Sequence, residues 1–73
     1  MDSFVLDDEK LNTEIRKFLK KVGITSQVEI EKATKEKLDN GELKGVETLA
    51  AQMILKIPAL ELEHVIESDI DLK

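Results

Sequence analysis

The residues that could do chemistry are few, and their spacing limits what they can do. His64 is the only histidine of the 73-residue chain, and there are no cysteines. One imidazole without a thiolate or a second histidine is poor metal-ligand chemistry. As a general base it would need an orienting carboxylate, and its neighbours on the same strand face are Leu62 and Ile66. It reads as a structural histidine at an edge of the core. Glu67, Asp69 and Asp71 form an acidic row. A calcium loop of the EF-hand type requires a glycine at its sixth position and a glutamate at its twelfth, which this row does not supply. It reads as a solvated strand face. Arg16, Lys17, Lys20 and Lys21 make one compact basic patch. They are either the solvated back of a helix or a contact site for an acidic partner, such as the acidic hairpin of another copy. There is no glycine-rich phosphate loop, and no serine sits with a plausible base. No catalytic residue, cofactor or metal site is expected, and the protein is not expected to be an enzyme.

The elements that carry these side chains must fit into a small chain. Seventy-three residues allow one domain, which buries only about 60% of the surface its unfolded chain exposes. Without disulfides it relies on a small apolar core, helped by oligomerisation. The net charge is −5, and the excess is local: residues 46–73 carry six acidic and two basic side chains. Such a surface repels phosphate backbones and anionic membranes. The start "MDSFVLDDEK" is acidic, and no apolar run approaches the ~20 residues needed to span a bilayer. A soluble, cytoplasmic protein without membrane contact is expected. Residues 1–6 read as a flexible leader, in which Phe4-Val5-Leu6 has the chance to dock on the core. Residues 7–73 read as a single small α+β domain.

In the N-terminal half, Asp7 or Asp8 can cap a helix whose apolar face is Leu11, Ile15, Phe18, Leu19 and Val22. Gly23 then supplies a left-handed stop, with Ile24 packing back on Leu19. Ser26-Gln27-Val28-Glu29 is a capping box for a second helix running to about Leu38. The expected result is a two-helix hairpin, and its elbow "KKVGITSQVEIEK" invites comparison with a DNA-reading helix-turn-helix. In the common form of that motif, apolar residues lie six and nine places after the glycine. Here those places hold Glu29 and Lys32. The second helix is also not basic, with Lys32, Lys35 and Lys37 against Glu29, Glu31, Glu36 and Asp39. A nucleic-acid partner is therefore not expected.

The segment "LELEHVIESDIDLK" alternates as a half-buried strand does, with an acidic outer face. The stretch "VETLAAQMILKIP" fits either a helix or a strand, and the need of the alternating strand for a ladder partner decides for a strand from about Ala50 to Ile57. Setting Ile57 opposite Leu62 pairs Leu55/His64, Met53/Ile66, Ala51/Ser68 and Leu49/Ile70 inward. It pairs Lys56/Glu63 and Ile54/Val65 outward, placing the lysine beside an acid and joining the two outward apolar residues. The whole reads as α-α-β-β, a helical hairpin packed on one face of an antiparallel β-hairpin. Open edges and the outward Ile54–Val65 pair suggest a homodimer, formed by edge pairing or outer-face contact. The candidate interaction surface is Arg16, Lys17, Lys20, Lys21, Ile54 and Val65.

The order helix, "GITS" elbow, helix, "NGELKG" turn and "MILKIPALELEHVIESDIDL" hairpin resembles a family of short bacterial proteins of unknown function. The resemblance runs from about Leu11 to Leu72 and carries caps, core positions and a bend, but no activity. A second resemblance, through Gly41-Glu42-Leu43 and the hairpin, is to winged-helix domains. It lacks a third helix and basic residues at the wing, where Glu61 and Glu63 stand instead. From these readings follow a non-enzymatic interaction or accessory module and, as the alternative, a reduced winged-helix-like nucleic-acid binder.

Overall fold

The structure is a computed structural model that describes residues 6–73. The elements are α1 (Asp8–Asp39), β1 (Thr48–Ile57), a 3-10 turn (Pro58–Leu60) and β2 (Leu62–Asp71). The architecture is α+β with one long helix and one antiparallel hairpin. The chain divides into two compact units, Met1–Glu36 and Lys37–Lys73. The expectation for Phe4 and Val5 lies outside the described residues.

From Asp8 on, the first unit is helical. Asp7 caps α1: its carboxylate accepts the Lys10 N–H at 3.0 Å, and its carbonyl accepts the Leu11 N–H at 2.9 Å. Asp8 and Glu9 then occupy the first turn, where negative charge meets the positive end of the helix dipole. The helix does not stop at Gly23. It continues as one 32-residue element, about 48 Å long at 1.5 Å per residue, so the expected two-helix hairpin is corrected to a single helix. The reason lies in the weakness of the stop signal. Gly23 lacks the positive φ that a helix-ending glycine adopts, whereas Gly41 and Gly45 have it, at 83° and 92°. A glycine inside a helix costs about 1 kcal/mol against alanine. Ending the helix would leave several N–H and C=O groups on each side without helical partners. The polar residues after Gly23 accommodate themselves to the interior. Thr25 Oγ1 donates to the Lys21 carbonyl at 2.8 Å, closing back one turn as hydroxyls inside helices do. Gln27 Nε2 donates to Glu31 at 3.0 Å, so the "TSQ" stretch caps nothing.

Although α1 has the length of a membrane span, charges interrupt it throughout. Among the described residues no helix is long and apolar enough to cross a membrane.

The second unit begins with the true helix stop. The Gly41 N–H bonds the Leu38 carbonyl at 3.2 Å, and the Leu43 N–H bonds the Lys37 carbonyl at 3.0 Å. Asn40 Oδ1 takes the intervening Glu42 N–H at 3.0 Å. This is the left-handed glycine cap that Gly23 resembled in sequence, formed 18 residues later. The hairpin follows with Ile57 opposite Leu62, Leu55 opposite His64, Met53 opposite Ile66 and Leu49 opposite Ile70. Every pair read from the alternation is present, including Lys56/Glu63 and Ile54/Val65. Strand β1 starts at Thr48, two residues before the expected Ala50. Three side-chain pairs bridge the outer face: Thr48 Oγ1 donates to Asp71 at 2.8 Å, Gln52 Nε2 donates to Glu67 at 3.3 Å, and Lys56 lies 3.5 Å from Glu63. At the bend, Pro58 pre-sets the turn, and Glu61 adopts φ 51° with its N–H on the Pro58 carbonyl at 3.0 Å.

Among the described residues no side chain is buried.

The continuous helix makes Gly23 a position where a methyl group helps. A Cβ there meets nothing within 4 Å. Gly23→Ala is expected to stabilise the helix by about 1 kcal/mol and raise the midpoint of a thermal melt followed by circular dichroism. A glycine acting as a left-handed stop would give a destabilised variant instead.

Candidate functional site

Arg16, Lys17, Lys20 and Lys21 all lie on α1 and are exposed. Lys17 Nζ is 3.2 Å from Glu14, which also lies 3.9 Å from Lys10. Exposed helix pairs of this kind contribute a few tenths of a kcal/mol at most. The uninterrupted helix gives this patch neighbours that an elbow would have removed. Lys17, Lys21, Ile24 and Val28 stand at i, i+4, i+7 and i+11, one row of the helix. Ile24 and Val28 are 55% and 57% exposed. The row therefore runs from cations into two open apolar side chains, away from the stripe of Leu11, Ile15, Phe18 and Val22. A sequence reading that ended the helix at Gly23 assigned Ile24 to a corner contact and missed this row.

On the hairpin, Ile54 and Val65 face each other across the ladder, 52% and 45% exposed. They are flanked by the Lys56–Glu63 pair on one side and the Gln52–Glu67 pair on the other. His64 stands on the other face beside Leu55 and is exposed. Glu67 and Asp71 are engaged by Gln52 and Thr48, so the acidic row is in part tied to its own hairpin. Among the described residues no three histidine, cysteine or acidic side chains come together as a metal centre requires. At the bend, Lys56, Pro58, Glu61, Leu62 and Glu63 line a shallow, open depression.

The most organised polar cluster was not legible in the sequence. In the loop before β1, the Glu47 carboxylate accepts three successive backbone N–H groups. Lys44 donates at 2.8 and 3.1 Å to its two oxygens, Gly45 at 2.9 Å and Val46 at 3.2 Å. Successive N–H groups that converge in this way form an anion-binding nest. Here the anion is supplied by the chain itself. Gly45 at φ 92° is what folds the loop back far enough. The Glu47 carbonyl in turn accepts the Leu72 N–H at 3.0 Å and extends the ladder past Thr48. The Lys44 N–H holds the Glu47 carboxyl below the ordinary glutamate value, with the N–H groups of Glu47, Gly45 and Val46 adding to it and desolvation opposing. The cluster positions the start of β1, and its donors are already occupied.

Over residues 6–73 the chain matches a family described as "Family of unknown function (DUF6494)". The match agrees with the resemblance to a family of unknown function read from the caps and the bend. No curated protein and no solved structure matches the chain.

The nest sets a pH dependence with a definite sign. A lowered folded-state value means that Glu47 stabilises the loop above the ordinary glutamate range, and that this stabilisation is lost as pH falls through the lowered value. In an NMR titration the Lys44, Gly45 and Val46 amide resonances are expected to shift together, with a midpoint below that of an exposed glutamate. In Glu47→Gln that shared transition is expected to vanish. Amides that titrate at the ordinary value would mean the nest does not hold the carboxylate in solution.

Proposed function

The chain belongs to the DUF6494 family of unknown function, and from that premise we propose that it is a non-enzymatic interaction module that completes its apolar surfaces by association, forming a homodimer. One observation carries the reading: with no described side chain buried, large apolar residues stand open along α1 and on both faces of the hairpin. Contiguous apolar patches on a small soluble chain mark sites of association. A 73-residue chain without disulfides gains from oligomerisation the stability it lacks alone. The surface assigned to contact is the basic patch of Arg16, Lys17, Lys20 and Lys21 on α1 and the Ile54–Val65 pair on the hairpin.

The non-catalytic part of the reading is supported by the sequence, in which the one histidine has no partner suited to acid–base work. The acidic hairpin works against a nucleic-acid partner. The cysteine-free composition supports a cytoplasmic setting.

Sedimentation equilibrium over a concentration series is expected to show a dimer in the micromolar range. A monomer that persists at high micromolar concentration, with helix and strand signals intact, defeats the proposal.

A further inference from the structure

Strands β1 and β2 form a two-stranded sheet, so among the described residues each strand has one edge without a strand partner. The two edges differ in charge. Strand β1 carries a single charge, Lys56, in ten residues. Strand β2 carries Glu63, Glu67, Asp69 and Asp71 in the same length. Charges on an edge strand ward off incoming strands, whereas a long, uncharged edge is a template for one.

The phase of the ladder identifies what the β1 edge offers. The Leu72 N–H bonds the Glu47 carbonyl, so Glu47 and Leu72 form a hydrogen-bonded pair. Antiparallel ladders alternate hydrogen-bonded and non-hydrogen-bonded pairs. The N–H and C=O groups of Thr48, Ala50, Gln52, Ile54 and Lys56 therefore turn away from β2, along an edge that has no proline.

We infer that the chain dimerises by antiparallel pairing of β1 with β1 of a second copy, giving a four-stranded sheet in the order β2-β1-β1-β2. The inference rests on the association proposed above and specifies its edge. Three arguments select this pairing over the others. First, β1 on β1 is a two-fold contact and closes on itself. Pairing β1 with β2 of another copy would leave a β1 edge open at every step and build a fibre. Secondly, β2 on β2 brings acids together: a two-fold axis at Ile66 sets Glu63 against Asp69 of the second copy, and an axis at Glu67 sets Glu63 against Asp71. Thirdly, an axis at Met53 sets Leu49 against Ile57 and Ala51 against Leu55 of the second copy. The apolar row of Leu49, Ala51, Met53, Leu55 and Ile57 is then continuous across the two central strands, and Lys56 faces the small Ala50. The two outermost edges are both β2, whose acids stop further growth.

A matched pair of substitutions tests this on the full chain. Gln52 and Glu67 face each other, and by the ladder phase both point their N–H groups outward. Proline at either removes no backbone hydrogen bond of the ladder, and both lose the same Gln52–Glu67 side-chain bond, so the two variants carry similar local damage. Sedimentation is expected to find Gln52→Pro monomeric and Glu67→Pro still dimeric, with far-UV circular dichroism retained in both. Ala50→Lys places the new cation beside Asp69 of its own hairpin and near Lys56 of the second copy. It is expected to fold normally and to raise the dissociation constant tenfold or more. A dimer that survives Gln52→Pro overturns the edge assignment and leaves the module reading standing. So does a dimer lost in both proline variants, or in Glu67→Pro alone. A monomeric wild-type protein defeats the module reading and the edge assignment together.

Discussion

Backbone N–H and C=O groups must find partners, and this chain meets that constraint over short spans. In α1 each partner lies four residues away. In the hairpin the ladder is closed by four residues, Pro58 to Glu61. The positions of Asp7, Gly41, Glu47 and Glu61 follow from the same requirement. Asp7 takes an orphan donor at the helix start, and Gly41 turns its own N–H onto a carbonyl at the helix end. Glu47 collects three N–H groups of a loop that has no regular structure to receive them. Glu61 accepts a left-handed conformation so that its N–H can close the bend. Backbone pairing is satisfied locally, while the described apolar side chains remain open to further contact.

Charge is sorted along the same elements. The basic patch falls within α1, where the continuous helix carries it into Ile24 and Val28. The acids fall on β2, where Thr48, Gln52 and Lys56 reach some of them across the ladder. Strand β1 is left nearly neutral between its polar ends. That asymmetry within one small sheet matters more for association than net charge does, because a strand edge reads the residues directly beside it.

The register of the hairpin was legible in the sequence to the residue, and so were the two ends of α1, but not the helix's continuity through Gly23. Alternation has a period of two, so a slip of one place would turn every side chain over, and the single lysine of β1 had one sensible acid to face. These constraints are long-range and mutually exclusive, and they left one register. The elbow rested on local signals alone. Gly23 and Ser26 each prefer a helix boundary by about 1 kcal/mol or less and are tolerated inside a helix at a similar cost, while Glu29 suits a helix interior as well as a capping box. Nothing in the pattern weighed those preferences against the hydrogen bonds a break would forfeit. The Glu47 nest was hidden for another reason: it depends on the φ of Gly45, and a glycine in a loop does not announce which way it turns. As for the candidate surface, its residues were legible as charged or apolar, but their grouping into a row on α1 required the helix to be whole.

The short bend has a consequence in time as well as in space. Each pair of the ladder brings together residues separated by no more than the 25 positions between Glu47 and Leu72. Closing the bend first makes each later pair a small extension of the last, so the entropy lost at each step is small. Hairpins of this kind form in about 1–10 μs, and helices elongate in about a nanosecond per residue. Both elements are thus able to assemble far faster than two chains can meet at micromolar concentration. For the dimer proposed above, encounter between molecules would then set the pace at which it appears, and that pace would change with the amount of protein present.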